Sequence, residues 1–425
     1  MKPELQKVRR KLDNAALVFP AATGKKDSRV FRIYCKLGEP VEPEILQKAL
    51  ERILQRYPMF QSVLKRGGFW FYLEKKNIQS VVKEEENAPC SPIYKKRQET
   101  LLFEISYRGK RINLEIFHVL TDGTGAIHFL SELVAAYLDL KYGMEEQEYQ
   151  KISEKEQEED SFSRYYTSAN RPKQVRKSTL AYQIGGNRLQ QADMRITECV
   201  VSARQLLEKV REKGVSITIY MTAVLLLVIA AGMKAEEKKR PVVIMVPVNL
   251  RKYFDSNSMS NFFGWMEIEY YFKPDTTFEQ VLAHVKKRFA EELTKEQVAL
   301  RMNRLIDIEK NPMLRMFPLE LKNLGLRIGS WMGSRNVTAI FSNLGTVTMP
   351  EIYRQFIDRF GVMTSTDKLQ ICACSYYDRF YFSITTKYAE TKVQERLLAF
   401  LRQEGIQVRE MQHGMRQNKK EEEKS

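Results

Sequence analysis

Arg29-Val-Phe-Arg-Ile-Tyr-Cys35 alternates polar and apolar residues, the period of a strand with one face turned to a core. Pro43 suits a first helical turn, and Ile45, Leu46, Ala49, Leu50, Ile53 and Leu54 follow at helical spacing. Tyr57-Pro58 ends that helix, because the residue before proline is pushed out of the helical region. Gly68–Leu73 and Thr100–Ser106 read as further strands. In the run Arg111–Leu120, Ile112, Leu114, Ile116 and His118 share one face, while Asn113, Glu115 and Phe117 take the other. Thr121-Asp122-Gly123 makes a turn, and from Ala126 a helix carries the stripe Ala126, Leu130, Leu133 and Tyr137.

Between Met144 and Asp160 the pattern breaks into acidic residues, followed by a basic, polar stretch from Arg164 to Lys177. This segment reads as a solvated crossover, about 144–177, between a first lobe (1–165) and a second (178–410). In the second, Arg195–Ser202 is strand-like and Ala203–Lys213 an amphipathic helix. Val242–Pro247 is a continuous apolar run, as in a central strand, and Ile268–Phe272 reads as another strand. Thr276-x-x-Glu279 predicts a capping box. Val337–Phe341 and Arg379–Thr385 are late strands, and Gln394–Gln403 a last helix. The charged tail, 411–425, predicts disorder, above all from Asn418 onward.

At 425 residues, with 43% hydrophobic and 11% aromatic residues, the chain can bury two cores. A net charge of +16 favours acidic partners: nucleic acid, anionic lipid or a phosphate-bearing cofactor. The basic residues are spread along the chain without zinc-finger or RNA-binding signatures, so nucleic acid is not expected. Five irregularly spaced cysteines, with Cys372-x-Cys374 unaccompanied by a second pair, predict buried reduced thiols, no metal site and a cytoplasmic setting. Gly214–Met233 is uncharged and just long enough to span a bilayer. Its Ser216, Thr218, Tyr220 and Thr222 instead predict a capped, buried core helix of about 15 residues, and no transmembrane span. Gly185-Gly186 reads as a flexible turn, since no Gly-Lys-Ser/Thr follows to make a phosphate loop. Trp265, Trp331 and the other aromatics read as core or tunnel wall, and His128 as a packing or surface residue.

The chemistry centres on His118-Val-Leu-Thr-Asp122-Gly123, an H-x-x-x-D-G sequence at a strand end. Desolvation beside aliphatic residues lowers an imidazole pKa and favours the neutral, proton-accepting form at pH 7. Asp122 can either orient the ring or hold the loop by pairing with an arginine. Taken alone, the motif also fits a structural histidine beside a turn aspartate.

In its strand–turn–helix context, the motif resembles the signature of the coenzyme A-dependent acyltransferase superfamily. That group holds chloramphenicol acetyltransferase, plant BAHD acyltransferases, alcohol acetyltransferases, polyketide-associated acyltransferases and nonribosomal peptide condensation domains. Three more stretches resemble family segments in order: Leu54-Gln-Arg-Tyr-Pro-Met-Phe60, Val246-Pro-Val-Asn-Leu-Arg251 with Asn261-Phe-Phe-Gly264, and Phe341-Ser-Asn-Leu-Gly-Thr-Val347. The resemblance runs from about residue 10 to 405. Phe117 stands where condensation domains carry a second histidine, and Asn261 where the BAHD branch has aspartate. Both departures point to the alcohol acetyltransferase-like or polyketide-associated branches.

The resemblance implies an α/β fold of two chloramphenicol acetyltransferase-like lobes, each a mixed sheet packed with helices, with an active-site tunnel between them. It implies an acyltransferase carrying an acyl group from a thioester to an alcohol, with His118 as general base. Acyl-CoA would be a co-substrate, with no cofactor permanently bound and no cofactor-binding residues identified. Asp122 would pair with an arginine, for which Arg251 is the candidate; Gly123 would keep the channel open; Ser342 or Asn343 would support the oxyanion. Asn261–Trp265 would bridge the lobes. The alternatives are amide formation on an amine with an acyl-carrier protein as donor, a catalytically silent binding protein of the same fold, and a charge-driven binder of nucleic acid or anionic membrane.

Overall fold

The computed structural model describes residues 9–24, 26–96, 98–145, 152–168, 179–190, 193–312, 316–390 and 392–411. In the first lobe, the alternating run becomes the strand Val30–Leu37, paired antiparallel on one side with Arg111–Phe117 and on the other with Ile357–Thr364. Phe103–Arg108 and Lys83–Glu84 complete this five-stranded sheet. The helices Pro43–Arg56 and Gly123–Tyr142 pack on each other beside it. Arg9–Lys11, Phe71–Lys75 and Ser62–Arg66 form a small separate sheet.

The second lobe is built on seven strands in the order Phe263–Tyr270, Val242–Asn249, Ala339–Thr346, Leu369–Tyr376, Arg379–Thr386, Arg195–Ser202 and Arg409–Met411. Against it lies Ile217–Ala230, capped by Ser216, whose hydroxyl accepts from the Ile219 N–H at 3.3 Å. This helix is apolar on all sides, and helices Ala203–Glu212, Phe278–Glu292 and Lys392–Gln403 surround it. No single helix among the described residues is long and apolar enough to cross a membrane.

The lobes exchange material. Ile357–Thr364 comes from the second half of the chain yet forms an edge of the first sheet, and it also packs against the 369–376 and 379–386 strands. Ser383 Oγ donates to the Val362 carbonyl at 2.6 Å, and the Tyr34 and Tyr381 hydroxyls both donate to the buried Glu198.

Several sequence expectations change. The strand expected through Leu120 stops at Phe117, and the helix begins at Gly123, three residues early, because the Asp122 side chain caps it. The capping box sits one residue later than expected, on Thr277 with Gln280. The crossover is not wholly solvated: Gln157, Ser161 and Phe162 are buried. Its residues 146–151 and 169–177, like Asn418–Ser425, lie outside the described residues. Trp265 and Trp331 are 37% and 60% exposed, so neither is core. All five cysteines are buried free thiols, and among the described residues no group of His, Cys, Asp or Glu is arranged to hold a metal.

Candidate active site

His118 occupies the first position after the 111–117 strand, where its N–H donates to the Arg29 carbonyl at 3.0 Å. There the ring enters an aromatic pocket that includes Phe31, which pairs with Ile116 and so belongs to the aliphatic face of the sheet. Phe19 stacks on it at 4.6 Å between centroids and 26° between planes, with Phe31 at 4.9 Å and Phe263 at 5.4 Å. Burial there holds the imidazole below its ordinary pKa; hydrogen bonds to its own backbone and to Asn261, and the Asp122 charge, only partly oppose this. The ring is therefore neutral at pH 7 and able to accept a proton.

Which nitrogen accepts follows from the next residue out. His118 Nδ1 lies 3.0 Å from Asn261 Oδ1. Asn261 donates both its Nδ2–H and its backbone N–H to Asp13 Oδ2, at 3.0 and 3.2 Å, so its amide oxygen is the end facing the histidine. The network assigns the proton to Nδ1, which leaves Nε2 with its lone pair. Asp13 Oδ1 accepts from the Ala16 N–H at 2.8 Å, and burial pushes the Asp13 carboxyl up to about 7 against the pull of Asn261, Ala16 and Arg10.

Asp122 does different work. Its Oδ1 accepts the N–H groups of Thr124 and Gly125, each at 3.1 Å, and caps the helix. Its Oδ2 accepts from Arg251 at 2.7 Å and from the Phe262 N–H at 2.9 Å. Arg251 also donates to the Ser258 and Ser260 carbonyls, and Thr124 Oγ1 accepts from Asn249 at 3.1 Å. The carboxylate thus clamps the 249–262 segment of the second lobe onto the motif loop, and contact with the His118 ring falls to Asn261. Both glycines beside it are places of close approach. A Cβ on Gly123 would meet Leu344 Cδ2 at 2.6 Å, and one on Gly125 would meet Thr121 Oγ1 at 2.2 Å and the Met259 carbonyl at 2.7 Å.

Leu344 brings the Ala339–Thr346 strand to the motif. Of the two oxyanion candidates on that strand, Asn343 donates to Thr218 Oγ1 at 3.2 Å and accepts from the Gly345 N–H at 3.0 Å; both ends of its amide are engaged within the second lobe. Ser342 is half-buried on the neighbouring position. His128 is linked to the Tyr57 hydroxyl at 2.9 Å and to Glu132 at 3.2 Å, a network within the first lobe. Gly185 and Gly186 line a cavity of about 370 Å³ in the second lobe together with Lys234, Gln394 and Arg396, away from the motif.

Known structures share this fold across nearly the whole chain. Polyketide synthase associated protein 5 from Mycobacterium tuberculosis superposes with a TM-score of 0.61 at 14% identity, over 92% of this chain and 97% of that one. F. graminearum TRI101, solved with coenzyme A and T-2 mycotoxin, gives 0.64 at 12% identity, over 94% and 99%. The first condensation domain of the CDA synthetase gives 0.60 at 14% identity, over 93% and 95%. The chain has the fold of these proteins. The profile described as "Phthiocerol/phthiodiolone dimycocerosyl transferase C-terminus" matches residues 187–327. A search of curated protein sequences gives no match.

Of the candidates read from sequence, the structure brings His118, Asp122, Gly123 and Arg251 to one place, and Asn261, expected only to bridge the lobes, meets the His118 ring. Sequence reading missed Asp13, Phe19 and Gly125. Asp13 and Phe19 lie in a short N-terminal stretch with no periodic signal, and only the closed fold brings them to the histidine.

Proposed function

We propose that this chain transfers an acyl group from a thioester, acyl-CoA, to the hydroxyl of an alcohol, with His118 as general base. The observation that carries the reading is the Asp13–Asn261–His118 chain, which puts the ring proton on Nδ1 and leaves Nε2 to act. Nε2 takes the acceptor's hydroxyl proton as that oxygen attacks the thioester carbonyl. The tetrahedral intermediate collapses, the C–S bond breaks, and the same proton passes from Nε2 to the leaving sulfur, giving an ester and free coenzyme A. The aromatic walls of Phe19, Phe31 and Phe263 limit water at the ring, which favours transfer over hydrolysis of the thioester. Asp122 and Arg251 hold the loop, and Gly123 lets the 339–346 strand approach. Ser342 is the remaining candidate for polarising the carbonyl oxygen. The coenzyme A in the related F. graminearum structure supports the choice of donor. Buried free thiols support a reducing, cytoplasmic setting.

The second reading, amide formation with a carrier-protein thioester, draws on the condensation-domain likeness, but Phe117 stands where those domains carry another histidine. The test is mass analysis of products from a panel of acyl-CoAs with pooled alcohols and amines. Ester formation is the expected result. Amides, or turnover only with carrier-protein thioesters, would move the chain to the second reading; no product from either donor would leave a silent protein of this fold.

A further inference from the structure

The Leu319–Ser334 helix is turned inside out. Of its residues only Leu319 and Lys322 are buried, and Lys322 reaches back to the Phe69 carbonyl at 3.1 Å and lies over the Trp70 ring. Leu321, Leu324, Ile328, Trp331 and Met332 are 49–60% exposed. They fall at helical spacing within one arc of about 100° on the side away from the protein body, and Phe317, 43% exposed, lies just ahead of the helix. Phe69, 56% exposed, extends the surface from the neighbouring turn. Apolar side chains in such numbers on one face mark a place of contact.

Charge and shape select the occupant. Lys322 is turned inward, but Arg327 on the helix and Arg335 at its end are exposed, and the one acidic residue, Glu320, is paired with Arg66, in a chain of net charge +16. Arg335 lies over the Trp331 ring at 5.1 Å, so cation and aromatic stand at one end of the apolar arc. A helix with Leu, Ile, Trp and Phe on its outer face and basic residues beside them suits the boundary of an anionic bilayer, where the ring and the charge both find partners. The helix stands proud, exposed over most of its circumference, which fits a plane better than a groove.

We propose that this helix docks the protein peripherally on an anionic lipid surface. Arg327 Nε donates to the Ala21 carbonyl at 2.9 Å, tying the helix to the Phe19–Ala22 segment whose Phe19 stacks on His118. Docking therefore sets the His118 pocket close to the lipid, within reach of lipophilic molecules. The binding itself does not depend on the acyl-transfer reading, and its test reads association, not turnover.

The test is co-sedimentation of the full chain with vesicles of phosphatidylcholine alone or mixed with phosphatidylglycerol, alongside a Leu324→Glu/Ile328→Glu variant. Both changed side chains are exposed, so the variant keeps its circular dichroism and melting temperature. The expected result is binding to the mixed vesicles, weaker on phosphatidylcholine and in high salt, and lowered at least about tenfold by the two glutamates. Trp331 emission shifts to the blue on binding. Equal binding by wild type and variant overturns the proposal, as does no binding at all. A wild-type dimer without vesicle binding, made monomeric by the two glutamates, also overturns it and gives the face to a second copy of the chain.

Discussion

His118 and Asn261 stand 143 residues apart in the chain and 3.0 Å apart in space. A histidine closing a strand before Asp122-Gly123 was legible in sequence; its partner was not, because Asn261 gains its meaning only when the second lobe folds over the first. The same limit explains the aspartate. Spacing left Asp122 free either to orient the ring or to pair with arginine, and its four hydrogen bonds commit it to the loop. The account predicts a rate that rises with pH through an apparent pKa below the ordinary histidine value, since burial favours the neutral base. The Asn261 bond raises that pKa, so Asn261→Ala moves the acid limb to still lower pH. It also lowers kcat roughly 10–100-fold by releasing the tautomer. An unchanged pH profile in Asn261→Ala would show that the amide does not hold the base.

Among elements, the Gly123–Tyr142 helix fixes the site most directly, because its cap is the motif aspartate and its first turn touches both the 249–262 segment and the 339–346 strand. Two glycines make that contact possible, at unequal cost to substitution. Gly125→Ala drives a methyl into the Met259 backbone carbonyl, which cannot turn aside, whereas Gly123→Ala meets only the end of the Leu344 side chain. Thermal melts should therefore show Gly125→Ala the less stable of the two, by about 1–3 kcal/mol relative to wild type. The Gly123→Ala loss should be recovered in part by Leu344→Ala; the reverse order of stability would contradict the packing. Elements with strong periodicity, such as Pro43–Arg56 and Ile217–Ala230, were readable to within a residue or two. The Leu319–Ser334 helix was not, because its apolar residues face outward and carry no core stripe.

At the scale of the molecule, two lobes were expected from the length of the chain and its resemblance, but not the return of Ile357–Thr364 to the first sheet. That return follows no local pattern; a strand's neighbours are set by the whole topology. It ties the first sheet to strands of the second lobe, and the His118 site is made from residues of both. A fragment ending near residue 168 lacks this edge strand and the Arg251 clamp, and is expected to show no cooperative melt, while the full chain unfolds in one transition. A fragment that melts cooperatively would contradict this. The central claim, that the joined lobes hold His118 as the base of an acyl transfer, is tested most directly by acceptor-dependent thiol release from acyl-CoA. Wild type is compared with His118→Ala of matched fold. The account predicts release by wild type and a loss of at least about a hundredfold in the variant; equal release from both proteins would contradict it.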